Sequence, residues 1–98
     1  MTAEMMLVVY NTAIDEEVLE ALKAEGMTCF TKFVNLKGVG ECSEPRLNTQ
    51  VWPGTNSMLL IYCEPQAREG LMRAVRGLKE RHREEGVRAF VLPVTESA

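Results

Sequence analysis

The chain has 98 residues, with 11 Lys and Arg against 14 Asp and Glu, a formal charge of −3, and 46% hydrophobic residues. That length holds one compact domain, and that balance excludes wholesale disorder and fibrous repeats. The acidic total also lacks the electrostatic footprint of a nucleic-acid binder.

Met5 to Tyr10 is a short, continuous apolar run that reads as a buried first strand, too short for a signal-peptide core or a membrane span. Asp15 opens a helix. Glu16 and Glu17 complement the positive end of its dipole, Val18, Leu19 and Leu22 form its apolar face, and Gly26 stops it. Met27 to Leu36, rich in β-branched and aromatic residues, reads as a second strand. Periodicity then stops. Lys37 to Ser57 contains Gly38, Gly40, Pro45, Pro53 and Gly54 with no apolar pattern, and a structureless stretch of about 20 residues in a small domain points to a functional loop. Met58 to Cys63 is a third strand, again apolar at every position. Pro65 suits the first turn of a long helix to about Glu85, with Leu71, Val75, Leu78 and His82 on one face and a stripe of Ala67, Gly70, Ala74 and Gly77 beside them. The two interior glycines suggest close packing there. Gly86 ends this helix, and Ala89 to Leu92 forms a fourth strand stopped by Pro93.

The resulting order, βαββαβ, is the α+β, ferredoxin-like arrangement: an antiparallel four-stranded sheet with two helices on one face, spanning residues 1–98 as a single domain. A sheet covered on one face should alternate toward polar residues on the other, yet the first and third strands do not. The free face must therefore be buried, and copies of the same chain are the simplest cover.

Chemical motifs are sparse. No nucleophile elbow, phosphate-binding P-loop, zinc-protease or EF-hand pattern appears, and the carboxylates cluster at helix starts, where capping explains them. The single histidine, His82, reads as a satisfied helix residue rather than a catalytic base. Three cysteines without C-x-x-C spacing read as reduced cytosolic thiols, with Cys29 and Cys63 as small core residues in strands. Cys42 lies between Glu41 and Glu44 in the loop, a weak metal-ligand pattern that His82 would have to join across space. An RNA-recognition reading fails because the third strand offers only Tyr62 for stacking. Gly38-Val39-Gly40 either lets backbone N–H groups approach an anion or acts as a hinge. Trp52-Pro53-Gly54 either anchors the loop base or contacts a partner. Basic charge concentrates between Arg68 and Arg88, with seven Lys or Arg against four Glu.

Asp15-Glu16-Glu17-Val18, Ala21-Leu22, Gly26-Met27-Thr28, Gly38-Val39-Gly40 and Phe90-Val91-Leu92-Pro93-Val94 together resemble the nitrogen-regulatory P-II proteins, and Gln50 to Asn56 resembles a divergent P-II-like branch. The resemblance implies a cytoplasmic homotrimer whose sheets face a central axis, with a small-molecule or anion effector held in clefts between subunits. It also implies that the loop from Lys37 to Ser57 contacts a target protein such as a membrane transporter. Gly38, Gly40 and Arg88 are then the candidate ligand-binding residues. Lys37, Glu41, Arg46 and Trp52 are the candidate partner contacts. The family's Gly-rich phosphate turn is replaced by Arg83-Glu84-Glu85-Gly86-Val87-Arg88, whose two carboxylates count against adenine-nucleotide phosphates, and the loop has no tyrosine for the family's modification. The cofactor is not specified by the sequence. The reading is a non-enzymatic regulatory protein, with an effector ordering the loop. The alternative is a trimer similar to the CutA-type divalent-cation tolerance proteins, in which Cys42, Glu41, Glu44 and His82 bind metal.

Overall fold

The computed structural model describes residues 3–40, 45–49 and 54–98. Four strands, β1 (Glu4–Asn11), β2 (Thr31–Leu36), β3 (Asn56–Cys63) and β4 (Arg88–Pro93), form one sheet in the order β2-β3-β1-β4, every neighbouring pair antiparallel. Helices α1 (Asp15–Ala24) and α2 (Pro65–Arg81) follow β1 and β3, and short 3₁₀ turns cover Thr12–Ile14 and Arg83–Glu85. This is the ferredoxin-like βαββαβ order expected from the periodicity. Among the described residues, no helix is long and apolar enough to cross a membrane.

Strand alternation assigns the two faces. Met6, Val8 and Tyr10 of β1 and Leu59, Ile61 and Cys63 of β3 are buried, and they share one core with Val18 and Leu22 of α1 and Leu71, Val75 and Leu78 of α2. The intervening residues form the opposite face in register. One cross-strand row runs Thr31, Leu60, Leu7, Phe90, the next Phe33, Met58, Val9, Arg88, and a third Tyr62, Met5, Leu92. That face is largely apolar and, in the single chain, half open: Tyr62 and Phe90 are each 51% exposed.

Several boundaries differ from the sequence expectation. Helix α1 ends in a Schellman motif, with the Gly26 N–H bonded to the Lys23 carbonyl, the Met27 N–H to that of Leu22, and Gly26 at φ 100°. Met27 is consequently the buried plug that closes the motif, and β2 starts only at Thr31. Cys29 lies in the intervening connection and is exposed, so it is not a core thiol. Cys63 is buried as expected, and burial, reinforced by the Glu4 carboxylate, pushes its thiol pKa up. Strand β3 begins at Asn56, ahead of its apolar run, because it pairs with Leu36 and Asn11 at that end of the sheet. Between Phe33 and Leu36 the register shifts by one residue, with Asn35 at φ 59°. Helix α2 stops at Arg81. The chain then turns through Arg83–Glu85 and enters β4 by way of Gly86 at φ 68°.

Of the two interior glycines of α2, only Gly70 is closely approached by another element. A Cβ there would lie 2.6 Å from Glu25 Oε1, whereas at Gly77 it would meet only the tip of Arg81, at 3.4 Å.

Candidate functional site

The end of the sheet where β2 leaves and β3 returns carries the chemistry. Gly38 and Arg46 pair across the loop base through two backbone hydrogen bonds, the Gly38 N–H to the Arg46 carbonyl at 2.8 Å and the reverse at 2.7 Å. This short bridge closes the loop from Lys37 onward into a hairpin-like neck. Gly38 is needed for close approach, since a Cβ there would fall 2.6 Å from Asn56 Nδ2. Farther along, the Asn48 N–H reaches the Gly54 carbonyl at 3.1 Å, with Asn48 at φ 58° and Gly54 at φ 93° supplying left-handed turns.

Around this neck lies a cleft of about 260 Å³. Gly38, Gly40, Lys37, Arg46 and Asn56 line it on the loop side, and Gly86, Arg88, Val9 and Phe90 on the sheet side. Three cations therefore share one small concavity with Gly38 and Gly40, of which Gly38 has both backbone groups bonded to Arg46 and shapes the neck. No carboxylate lines it among the described residues. Val9, Arg88 and Phe90 belong to the uncovered sheet face by register, so the cleft opens onto the border of that apolar surface.

The structure thus brings Gly38, Gly40 and Arg88 into one cleft. It places Lys37 and Arg46, read from sequence as loop contacts, in the same cleft. Arg46 is 8% exposed, and its guanidinium lies 3.5 Å from Glu85 Oε2 and 3.5 Å from Asn56 Oδ1. A long arginine in the middle of an aperiodic loop is thereby turned inward in the single chain. Glu41, Trp52 and Cys42, together with Glu44, fall outside the described residues.

Sequence reasoning passed over Asn56 and Asn11, and it read Glu85 only as a carboxylate set against nucleotide phosphates, without its contacts to Asn11 and Arg46. Glu85 sits in the 3₁₀ turn before β4, where Asn11 Nδ2 donates to its Oε2 at 2.5 Å. The Oδ1 of Asn11 meanwhile accepts from the Ala13 N–H at 3.0 Å, capping the turn that leads into α1. One carboxylate therefore ties the start of α1, the loop neck and the entry to β4 together. The sequence signal was Gly86: a glycine directly after two acids fixes a tight turn, and such a turn orients the preceding side chain.

Several of the other charges are engaged elsewhere. Along and just beyond α2, Arg73 pairs with Glu25, Arg76 with Glu69 and Arg83 with Glu80, so much of the basic stretch is locally neutralised. His82, 19% exposed at its side chain, caps the end of α2 and places Nε2 2.6 Å from Glu17 Oε2, joining the two helices. It is a satisfied helix-end histidine, as its apolar neighbours suggested. Among the described residues, no group of three or more His, Cys, Asp and Glu side chains converges as a metal site.

No protein-family model and no curated protein matches the chain. Solved structures do match in shape. A PII-like signalling protein from Thermus thermophilus is 21% identical, with a TM-score of 0.63 over 95% of this chain and 87% of its own. CPII from Thiomonas intermedia, solved bound to ADP and bicarbonate, is 16% identical, with a TM-score of 0.73 over 98% of this chain and 91% of its own. A DUF3240 family protein from Shewanella baltica is 14% identical, with a TM-score of 0.69 over 100% of this chain and 96% of its own. At these identities the likeness is one of architecture: the chain has the ferredoxin-like fold of the divergent PII-like proteins.

Proposed function

We propose that the chain is a non-enzymatic, cytoplasmic PII-like regulatory protein. It binds a small anionic effector in the cleft at the loop neck and reports occupancy through the loop from Lys37 to Ser57 to a target, a membrane transporter being one candidate. The carrying observation is the convergence of Lys37, Arg46 and Arg88 with Gly38 and Gly40 in one cleft. Three cations with the Gly40 backbone beside them form an anion cradle, and the net charge of −3 disfavours nucleic acid as its ligand.

The cleft's position supports an assembly as well. At about 260 Å³ it falls below the usual range for a site enclosing a whole cofactor-sized ligand. Its sheet side is also continuous with the apolar face. A homotrimer that buries this face would bring a neighbouring subunit to the rim of the cleft and deepen it. The ligands of CPII, which is similar in fold, suggest the probes.

Calorimetric titration of the purified protein with ADP, AMP and bicarbonate tests the reading. Saturable binding of at least one is expected, weakened about tenfold in Arg88→Ala through loss of a charge-assisted contact. Absence of binding by all three, or an unchanged affinity in Arg88→Ala, overturns it.

A further inference from the structure

The cleft contains an arginine that already has an internal counter-ion. Arg46 lines the cleft, and its guanidinium, almost fully buried, lies 3.5 Å from Glu85 Oε2. Glu85 is itself held in place by Asn11 at 2.5 Å, so the carboxylate cannot swing away without giving up a second contact. The backbone of the same arginine forms the Gly38–Arg46 bridge that closes the loop neck. Side-chain pairing and loop closure therefore meet at one residue.

We propose that Glu85 is a built-in counter-ion that latches Arg46, and that an anion entering the cleft competes for this arginine and loosens the neck. The proposal rests on the anion-binding reading above and supplies its coupling step, with the opposite sign to the loop ordering expected from sequence: binding frees the neck. The physical basis is electrostatic. A carboxylate beside a buried guanidinium lowers the positive potential that an incoming anion meets, so part of the ligand's interaction is spent on releasing Glu85. When Arg46 turns to the ligand, Glu85 no longer restrains it, and the two backbone hydrogen bonds at Gly38 and Arg46 lose one of the side-chain contacts that support them. Ligand binding and loop freedom then become two readouts of one equilibrium.

Glu85→Gln tests the latch. Glutamine keeps an acceptor for Asn11 while removing the charge, and circular dichroism with a thermal melt checks that the fold is retained. Two measurements are made on wild type and variant: hydrogen exchange of the Gly38 and Arg46 amides without ligand, and calorimetric titration with ADP, AMP and bicarbonate. Faster exchange at both amides in Glu85→Gln is expected. Affinity for whichever anion the wild type binds should rise about threefold, the scale of a partly exposed ion pair. Unchanged exchange overturns the latch. So does an unchanged or weaker affinity, which would make Glu85 a positioner of Arg46 rather than its competitor. If neither protein binds an anion, the functional reading falls, and the exchange result alone decides whether the neck is latched. Should Glu85→Gln fail to fold, Glu85→Asp replaces it: the shorter carboxylate weakens the contact, and the same two shifts are expected with the same outcomes overturning the proposal.

Discussion

At the residue scale, a tight polar cluster lies on the helix-covered side of the sheet. Tyr10 is completely buried, and its hydroxyl donates to Asp15 Oδ1, while Lys32 Nζ contacts Asp15 Oδ2 at 2.8 Å. Burial, then the Asp15 hydrogen bond and charge, push the Tyr10 pKa well above its ordinary value. For Asp15, burial works against the charged form, but the hydrogen bonds from Lys32 and Tyr10 outweigh it and hold the carboxyl below the usual carboxylate range. The linkage signs follow. The raised Tyr10 pKa contributes stability below the unfolded value of 10.0, lost as pH rises beyond it. The lowered Asp15 pKa contributes stability above 3.8, lost as pH falls through the folded value. Tyr10→Phe should cost about 1 kcal/mol at neutral pH, the net worth of a buried hydrogen bond. It should also remove part of the decline in stability above about pH 10, the ordinary tyrosine pKa. Urea unfolding at pH 7 and pH 10.5 measures both; a variant as stable as wild type with an unchanged alkaline decline would show that the hydroxyl contributes nothing.

At the scale of elements, the loop neck is the least forgiving part of the site. The tight approach of Gly38 to Asn56 means that Gly38→Ala must push the Asn56 side chain away, and with it one of the contacts that orient Arg46. The expected outcome is a drop in anion affinity of about threefold or more, on the scale of one displaced polar contact, with little change in the melting temperature. Calorimetry beside a thermal melt separates this from general destabilisation, and an affinity equal to wild type would remove Gly38 from the site. The sheet and helices around this neck were legible because each repeats an apolar pattern. The continuous apolar run of β1, the spacing of Leu71, Val75 and Leu78, and the Gly26 and Gly86 stops are local properties of short segments. The start of β2 was not legible, because Met27, Thr28 and Phe30 suit a strand by composition while the Schellman motif claims Met27 for the core. The site was legible only in part. Gly38, Gly40 and Arg88 were candidates from sequence and share the cleft, but Glu85 was read there only as a carboxylate set against phosphates. Its partners lie 74 and 39 residues away, a separation that no local pattern encodes. The contact of Arg46 with Glu85 was not legible for the same reason: the two are remote in sequence.

At the scale of the whole molecule, the uncovered sheet face remains the dominant physical fact. Leu7 sits between Leu60 and Phe90, and Met5 between Tyr62 and Leu92, a continuous apolar surface on a protein of 11.0 kDa. Water against such a face is unfavourable in proportion to its area, and a second helix layer is absent from that side among the described residues. Self-association answers the mismatch, and the number three in the proposed assembly comes from the resemblance to the P-II proteins, not from the face itself. Sedimentation equilibrium should give about three times the chain mass. Tyr62→Glu, at a position already 51% exposed in the single chain, preserves the fold while placing a charge in the proposed interface, and it should dissociate the assembly. Tyr62 is not among the residues lining the cleft at the loop neck. Loss of anion affinity in this variant would therefore report that a neighbouring subunit completes the site. A wild type that sediments as a monomer and still binds an anion would instead locate the whole site in one chain and leave the apolar face for a different partner.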